Sequence, residues 1–461
     1  MKPDKIIFQK IEESEQDKTP QKEVINCDTL EELEEEIKKV YLVKDPYLVR
    51  LLLALVVAHF LPTDPAWVVI IAASGGGKSE FINMLNEICW TPKGSNVEQK
   101  VHPLSTLTAK TFVSGFKNRE KAPSLLTQIS NGILSFKDLT SLLSEHRDDR
   151  AVVMAQLREI WDGRYNKRFG TGEEVSWKGK ISIIAGATYA IHALKQAYTA
   201  MGERFIFYNI ISPERKEAAE KTMDNQAEGK MAEHRNHLTK LFTSLAKKVL
   251  AVIPDKLPEL EKELKKDIIS LAELTTRARS DVERNWRSPM QEITEVHPPE
   301  EPTRFAGSLQ GIIHALEVIE YFKTQKFELS KSGIDLIKKL ALDSIPRMRR
   351  VVMQELSRYD VIQTAGLAVK IGLPTNSVRR YLEDLVALEI ADREKGKGNE
   401  GDRWNIKPLY RELIMKFEGI VFKPGEELTA ENAEPVENSA IIDAELAEQN
   451  SLLLNDGTFD N

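Results

Sequence analysis

A continuous apolar run followed at once by a glycine-rich loop constrains the fold of this 461-residue chain more than any other feature. The run is AWVVIIAA at 66–73, and the loop is SGGGKS at 74–79. An unbroken run rich in Val and Ile predicts a strand that is buried on both faces, as in a parallel sheet. The sequence SEFINMLNEI at 79–88 then predicts a helix, so the glycine loop joins a buried strand to a helix.

This strand–loop–helix context predicts a phosphate-binding loop, with ATP as the expected ligand. Glycines let the backbone curl so that successive N–H groups meet at phosphate oxygens, and the helix adds the positive end of its dipole. Lys78 can reach the β- and γ-phosphates, and the Ser79 hydroxyl can ligate Mg²⁺. The residues predicted to bind the cofactor ATP with Mg²⁺ are Ser74, Gly75, Gly76, Gly77, Lys78 and Ser79.

One position of the loop departs from the usual pattern GxxxxGK[ST]. Ala72 stands where the first glycine is expected. An alanine costs little there if its φ is negative. The alternative interpretation is an ordinary glycine-rich turn ahead of a surface helix, but the buried strand just before the loop favours the nucleotide site.

Three further apolar runs predict strands, NGILSF at 131–136, KISIIAGA at 180–187 and RFIFYNI at 204–210. Helical patterns lie between them, and this alternation predicts an α/β P-loop NTPase core with a mostly parallel sheet. Long charged segments that favour helix follow, broken near 288–302 by a proline-containing loop. We expect a flexible arm at 1–28, a helical segment at 29–62, the core at 63–212, a helical lid at 213–343, a winged helix at 344–410 and an acidic, largely disordered tail at 411–461.

Two polar residues at strand ends are candidates for catalysis beside Lys78. Asp138 follows the run 131–136 and could hold Mg²⁺ or orient the attacking water. Thr188 ends the run 180–187, where it could sense the γ-phosphate or position water. The alternatives are a surface turn capped by Lys137 and Asp138, and a plain strand end at Thr188.

Arginines near the last predicted strand and in the lid could stabilise charge on a transferred phosphoryl group. Arg204 is the best candidate to act on the nucleotide of a neighbouring subunit, although an arginine–glutamate surface pair is an equal alternative. Arg304, at the head of the helix that follows Pro302, is a similar candidate for a cofactor contact. Weaker candidates precede it in the lid: Arg277, Arg279 and Arg284.

The segment 344–410 predicts a helix-turn-helix followed by a glycine-rich hairpin. A helix at 364–371 ends at Gly372, and Thr375 can cap the next helix, whose apolar residues lie at helical spacing. Such a second helix can enter a major groove, and a basic hairpin, the wing, suits backbone contacts. The predicted DNA-binding residues are Asn376, Ser377, Arg379 and Arg380 on the helix, and Lys395, Lys397 and Arg403 on the wing. A protein-interaction module is the alternative.

The motifs GGGKS, GILSFKDLTSLL, LREIWDGRY, AGAT and GERF occur in this order. The set resembles P-loop ATPases of phages and integrated elements that are related to helicase and primase-helicase proteins. The later PPEEPTRFAGSL, with the helix before it, is similar to the lid of the minichromosome-maintenance-like branch of AAA+ ATPases. The resemblance covers about 65–325 and implies an oligomeric ATPase that handles DNA. The pair Lys137-Asp138 departs from the expected acidic pair, which weakens the expectation of fast hydrolysis and unwinding.

The net charge of −7 is uneven along the chain. From Pro424 onward there are ten carboxylates and no Lys or Arg. The rest of the chain has 64 basic and 61 acidic residues, and this slightly basic balance permits nucleic-acid binding without arguing for it. The polar N-terminus has no secretory signal, and 47–61 is too short to span a bilayer, so it predicts a buried helix. Two cysteines without paired spacing indicate no disulfide framework, and we expect a cytoplasmic protein without membrane contact.

The sequence favours an oligomeric, DNA-associated, helicase-like ATPase in the replication of a phage or mobile element. The alternative is a DNA-binding regulator for which ATP is a ligand with little hydrolysis. A third possibility is a scaffold that recruits a replication protein through the winged helix and the acidic tail. The tail could also occupy the winged helix and inhibit its binding to DNA.

Overall fold

The computed structural model describes residues 25–108, 110–113, 125–140, 146–170, 172, 174–194, 204–227, 229–285, 287–288, 291–397 and 400–416. The predicted arm up to residue 24 and the acidic tail from residue 417 lie outside the described residues. The six domain limits therefore stay predictions at both ends of the chain.

A six-stranded sheet forms the centre of the structure, in the order β2-β3-β4-β7-β1-β8. All its neighbouring strands are parallel except β2, which pairs antiparallel with β3. The predicted α/β class with a mostly parallel sheet is thus confirmed. The strands of the sheet are β1 (Trp67–Ile71), β2 (Cys89–Trp90), β3 (Gln99–Leu104), β4 (Asn131–Phe136), β7 (Lys180–Ala187) and β8 (Ile206–Asn209).

Helices cover both faces of this sheet, because alternate side chains of its strands are apolar on both sides. Val68 and Ile70 of β1 join one apolar core, while Val69 and Ile71 join the other. The helices are α1 (Leu30–Val40), α2 (Leu48–Phe60), α3 (Lys78–Asn83), α4 (Leu125–Gln128), α5 (Arg147–Trp161), α6 (Arg215–Ala227), α7 (Met231–Ala251), α8 (Lys262–Arg279), α9 (Pro302–Thr324), α10 (Lys331–Asp343), α11 (Arg347–Ser357), α12 (Thr364–Ile371), α13 (Thr375–Ala387) and α14 (Pro408–Lys416). Among the described residues, no helix has the length and apolar character needed to cross a membrane.

The apolar run 47–61 forms the buried helix α2, as predicted. Its two polar side chains have partners: Arg50 pairs with Glu320, and the ring of His59 contacts Ser182 at 3.0 Å and Gln99 at 3.1 Å. The helix predicted at 79–88 is shorter than expected, because regular helix ends at Asn83 and turns follow.

Side chains of α10 close the outer edge of the sheet at β8. The N–H of Phe207 donates to the Ser344 hydroxyl at 3.0 Å, and the N–H of Asn209 donates to the Asp343 carboxylate at 2.9 Å. Lys339 donates to the Asn209 carbonyl at 2.6 Å. Because these groups are buried, the helical region and the sheet form one continuous packed body at this edge.

Two antiparallel hairpins, each of two strands, lie outside the central sheet. The first consists of β5 (Arg164–Arg168) and β6 (Glu174–Lys178), directly before β7. The second consists of β9 (Val282–Arg284) and β10 (Ile293–Val296). The loop predicted near 288–302 is therefore partly a strand, because β10 occupies its centre.

The segment predicted as a winged helix contains α11, α12 and α13 beside a small antiparallel sheet. The sheet has the order β11-β13-β12, with β11 (Ile362–Gln363), β12 (Ala391–Glu394) and β13 (Arg403–Ile406). The predicted cap is wrong, since Pro374 occupies the N-cap of α13, no side chain caps the helix, and Thr375 is its first residue. The predicted apolar face is correct at Val378 and Leu382, which are buried.

Candidate nucleotide site and its surroundings

The glycine loop leaves β1 at Ala72 and enters α3 at Lys78. Gly75 and Gly77 have φ of 78° and 77°, in the left-handed region that favours glycine. Ala72 is absent from the residues with positive φ, so its backbone suits an alanine. A Cβ on Gly76 would lie 3.0 Å from the Ala72 Cβ, so the alanine side chain occupies space that a glycine at 76 leaves open.

Lys78 and Ser79 begin the helix that follows the loop. Lys78 is 7% exposed, and its ammonium lies 3.5 Å from the Ala73 carbonyl inside the loop. Burial lowers the pKa of Lys78, while the negative charge of Asp138 opposes that shift. The Ser79 hydroxyl makes no hydrogen bond within the described part of the chain, so it is available to a metal ion.

A chain of hydrogen bonds connects Asp138 to Thr188 through Thr140. The Thr140 N–H donates to Oδ1 of Asp138 at 2.9 Å, and the Thr188 N–H donates to the Thr140 hydroxyl at 3.2 Å. Asp138 is exposed, whereas Thr188 is half-buried. The two candidate residues therefore belong to one connected turn rather than to two independent strand ends.

Gly186 allows the backbone of residues 137–139 to pack closely against β7. The Leu139 N–H donates to the Gly186 carbonyl at 2.7 Å, and a Cβ on Gly186 would lie only 2.5 Å from the Lys137 carbonyl oxygen. A larger residue at 186 would therefore push away the backbone that carries Asp138. The motif AGAT contains this glycine, but no local pattern of the sequence indicates its role.

The topology explains why Lys78, Asp138 and Thr188 come together. Strand β7 lies between β4 and β1, and all three are parallel, so their carboxyl ends meet at one edge of the sheet. Ligands of open α/β sheets bind at this edge. A buried ammonium, a carboxylate and an unpartnered hydroxyl there form a site whose chemistry fits a phosphate group with a divalent cation.

The predicted arginines do not join this site. Arg204 precedes β8, and the Phe205 ring beside it lies 5.4 Å from the ring of Trp67, the first residue of β1. The glycine loop follows the last residue of β1, which is roughly 13 Å from Trp67 along a five-residue strand. Arg204 therefore lies at the opposite end of the sheet from the loop of its own chain.

Arg304 lies next to Arg204 at that opposite end. Their guanidinium carbons are 5.4 and 5.3 Å from the centre of the Trp161 ring. Arg204 is 9% exposed and donates to the Asp162 carboxylate at 3.2 Å, while the Arg304 side chain is 37% exposed. Arg204 thus pairs with an aspartate whose side chain is 52% exposed, while the glutamate of the alternative surface pair, Glu203, lies outside the described residues.

The three weaker arginine candidates of the lid have structural partners. Arg277 pairs with Glu273 at 2.8 Å on its own helix. Arg279 is buried, with its guanidinium carbon 4.6 Å from the centre of the Phe305 ring. Arg284 is buried against the carboxylate of Asp384 at 2.6 Å.

Sequence reasoning missed a contact that anchors the helix of the loop. Glu80, directly after Ser79, accepts hydrogen bonds from Arg235 of α7 at 2.7 and 2.8 Å. The Tyr41 hydroxyl donates to the same carboxylate at 2.9 Å. Tyr41 and Arg235 lie far from Glu80 in the sequence, so no local pattern connects them.

The predicted DNA-binding residues lie on one helix and one hairpin. On α13, Asn376 and Arg379 are exposed, Ser377 and Arg380 are half-buried, and Arg379 donates to Glu383 at 3.0 Å. The hairpin of β12 and β13 places Lys395, Lys397 and Arg403 in exposed positions, and Arg403 lies 3.8 Å from Glu400. The antiparallel pairing of β12 with β13 agrees with the predicted hairpin, while its role as a wing stays a prediction.

Comparison with known proteins adds little to this geometry. No protein-family model matches the chain, and no curated protein sequence matches it. Among solved structures, it is similar to "SCCmec type IV Cch - active helicase", with a TM-score of 0.37 and 10% identity, over 84% of this chain and 72% of that chain. We draw no functional conclusion from a likeness this distant. The mostly parallel sheet, with helices on both faces and the glycine loop after β1, fits an NTPase-like α/β core.

Proposed function

We propose that this protein binds ATP with Mg²⁺ at the glycine loop and hydrolyses it as a DNA-associated oligomer. The observation that carries the proposal is that Lys78 and Ser79, after β1, lie at the same edge of the parallel sheet as Asp138, after β4, with β7 between the two strands. Burial of Lys78 near an opposite charge, with a free hydroxyl beside it, suits a phosphate and a metal ion better than a surface turn.

The residues have separate roles in this proposal. Backbone N–H groups of 74–79 and the Lys78 ammonium hold the phosphates, which neutralises charge on the transferred group. The Ser79 hydroxyl and the Asp138 carboxylate hold Mg²⁺, which supplies further charge neutralisation at the phosphates. Asp138 or Thr188 orients the attacking water.

The placement of Arg204 and Arg304 supports a homo-oligomer in which they serve the site of a neighbour. Both lie at the end of the sheet opposite the loop, so neither can reach the nucleotide of its own chain. Arg304 is the more exposed of the two and is the better candidate for a direct contact. A head-to-tail contact would present it to the loop of the next subunit.

The association with DNA rests on the unit that contains α11 to α13. Its helix order and three-stranded antiparallel sheet fit a winged helix, with Asn376, Ser377, Arg379 and Arg380 at the start of the second helix of the motif. Lys395, Lys397 and Arg403 on the hairpin supply charge for phosphate contacts. Replication of a phage or mobile element is the proposed setting, and the acidic tail is a candidate contact for a replication protein.

A second function is favoured by one observation at the site. Only one acid follows β4, since Lys137 precedes Asp138, and Oδ1 of that acid already accepts a hydrogen bond from Thr140. One carboxylate serves the metal and the water less well than two. The second candidate is therefore a DNA-binding regulator that uses ATP as a ligand with little turnover.

The deciding experiment measures ATP binding and turnover with and without single- and double-stranded DNA. We expect turnover that DNA stimulates in the wild type and that Lys78→Ala abolishes. Binding without turnover would support the regulator. Absence of ATP binding in the wild type would contradict both functions.

A further inference from the structure

A cleft of about 580 Å³ separates α13 from the hairpin of β9 and β10. Asn376, Arg379 and Arg380 line the helix side, while Gln291 and Glu292 line the hairpin side. This volume lies within the range of roughly 300–1,000 Å³ for sites that enclose small ligands. The face of α13 that the sequence predicts to contact duplex DNA is thus opposite the hairpin of β9 and β10, which forms a second wall of the cleft.

One buried side chain, Arg284 of β9, joins this second wall to the helix. Its guanidinium donates to the Arg380 carbonyl at 2.8 Å and to the Asp384 carboxylate at 2.6 Å. It also donates to the Gln291 carbonyl at 2.8 Å, where the hairpin turns back. Separating the walls would leave a buried charge and buried carbonyl groups without partners, so the cleft is a fixed part of the fold.

The second wall limits what the helix can enter. An α-helix with its side chains is about 10–12 Å across, and the major groove of B-DNA is about 12 Å wide. A hairpin attached along the helix makes the inserted element wider than the groove. Base edges of a duplex therefore stay out of reach of the cleft, whereas a single unpaired strand is narrow enough to enter it.

Polar groups of the cleft remain available for such a strand. Within the described chain, no hydrogen bond or ion pair holds the Arg380 guanidinium, and Oε1 of Gln291 is buried without a partner. Gln291 has φ of 46°, which is unusual for a residue with a side chain, and Asn376 is exposed. Guanidinium groups bind phosphates, and side-chain amides bind the edges of bases.

Two acidic side chains, Glu292 and Glu383, also line the cleft. Glu383 lies 3.3 Å from Arg284, 3.0 Å from Arg379 and 3.9 Å from Arg393. Arg284 is also paired with Asp384, and Arg393 with Asp402, so these charges are close to balanced. Arg380 is the guanidinium of the cleft that no carboxylate of the described residues pairs with.

We propose that this cleft binds an unpaired strand of nucleic acid. Arg380 holds the phosphates, and Gln291 and Asn376 contact base edges, which only an unpaired strand exposes in full. The proposal rests on the DNA association proposed above and specifies its substrate as single-stranded rather than duplex. An acidic peptide is the rival occupant, but its carboxylates would use only the arginine, whereas base edges would also use the amides of Gln291 and Asn376.

The test measures binding of the full-length protein, without nucleotide, to a fluorescent oligothymidine strand and to a duplex of equal length. We expect Arg380→Ala to weaken strand binding about tenfold. The slope of log K against log salt concentration should fall by about 0.7, which corresponds to one lost phosphate contact. Gln291→Glu should weaken strand binding as well, because a carboxylate would face the phosphates.

Arg358→Ala is the matched control, since this arginine ends α11 outside the cleft and pairs with Glu355 on its own helix. It should bind the strand like the wild type. Unchanged strand binding in both cleft variants would overturn the proposal. An equal loss of duplex binding in Arg380→Ala would also overturn it.

Two further measurements separate this inference from the proposed ATPase. Lys78→Ala should bind the strand normally, because no nucleotide is added, so failure of the ATP site leaves the strand result interpretable. Conversely, DNA-stimulated turnover that survives Arg380→Ala unchanged would leave the ATPase standing and contradict the cleft. A peptide with the sequence of 424–461 tests the rival: if Arg380→Ala abolishes its binding and the strand does not bind, the cleft is a peptide site.

Discussion

The carboxylate of Glu80 accepts two hydrogen bonds from the Arg235 guanidinium and so connects the helix of the glycine loop to α7. We expect Arg235→Ala to weaken ATP binding a few-fold, because Glu80 adjoins Ser79 and the first turn of α3 would lose an anchor. The Arg235 side chain is 51% exposed, so the effect should be about 1 kcal/mol or less. Calorimetric titration measures it, and Arg235→Lys should lie between wild type and alanine. Equal affinities would identify the pair as a plain surface contact.

The Ala72 side chain lies where a side chain on Gly76 would have to fit. Gly76→Ala should weaken ATP binding strongly, since its Cβ would lie 3.0 Å from both the Ala72 Cβ and the Ala73 carbonyl oxygen. Adding Ala72→Gly removes one of these two clashes and should restore part of the affinity. Binding constants of the two single variants and the double variant test this coupling. Strict additivity of the two substitutions would contradict it.

Gly186→Ala should separate nucleotide binding from hydrolysis. Its Cβ would meet the Lys137 carbonyl oxygen at 2.5 Å, so the turn that carries Asp138 must shift, at a cost of about 1–3 kcal/mol in stability. We expect ATP to bind nearly normally and turnover to fall at least tenfold. Gly170→Ala is the control, because its Cβ would meet no atom within 4 Å. Normal turnover in Gly186→Ala would show that Asp138 has no part in the reaction.

His59 predicts a dependence of stability on pH. Burial lowers its pKa from 6.5 to about 3. The unfolded chain therefore binds more protons than the folded chain between these values, and stability falls as pH decreases through that window. The slope from this group approaches about 1.4 kcal/mol per pH unit.

His59→Gln should lose this part of the slope while keeping an amide that can contact Ser182. Unfolding free energies from urea titrations near pH 5 and near pH 7 give the comparison. The difference between wild type and variant should change over that interval. A constant difference would mean that His59 titrates alike in both states.

Asp384 is expected to be essential for stability of the C-terminal unit. It accepts from Arg284 at 2.6 Å and from Arg349 at 3.1 Å, and all three side chains are buried. Asp384→Asn leaves Arg349 without a carboxylate partner among the described residues and Arg284 with only Glu383 at 3.3 Å, and should cost about 3 kcal/mol. Asp360→Asn is the control, as that exposed carboxylate should matter little. Equal melting temperatures of the two variants would refute the assignment.

Much of the site was predictable, because the relevant signals are local. Apolar runs of Val and Ile identify the strands, and residues just after parallel strands must share one edge of the sheet. This reasoning suffices to bring Lys78, Asp138 and Thr188 together. A local signal for the hairpin of β5 and β6 also existed, in the alternation of Tyr165, Val175 and Trp177 around a Gly-Thr-Gly turn.

The remaining contacts depend on pairs that are distant in the sequence. Nothing near Arg204 indicates that Asp162 and Trp161 cover it, and nothing near Asp384 indicates that Arg284 reaches it from another hairpin. The cap at Thr375 failed for a different reason, because the helix begins one residue earlier than predicted, with Pro374 at the N-cap and Thr375 already its first residue. Local propensity therefore predicts elements, while the burial of charged side chains follows only from tertiary packing.

The closed edge at β8 has a consequence for behaviour at high concentration. Free strand edges recruit other chains by backbone pairing and so seed aggregation. Here Ser344 and Asp343 already accept the N–H groups of Phe207 and Asn209. At the other edge, the two-residue strand β2 offers too short a template. The central sheets of neighbouring copies are therefore protected from edge-to-edge pairing at high concentration.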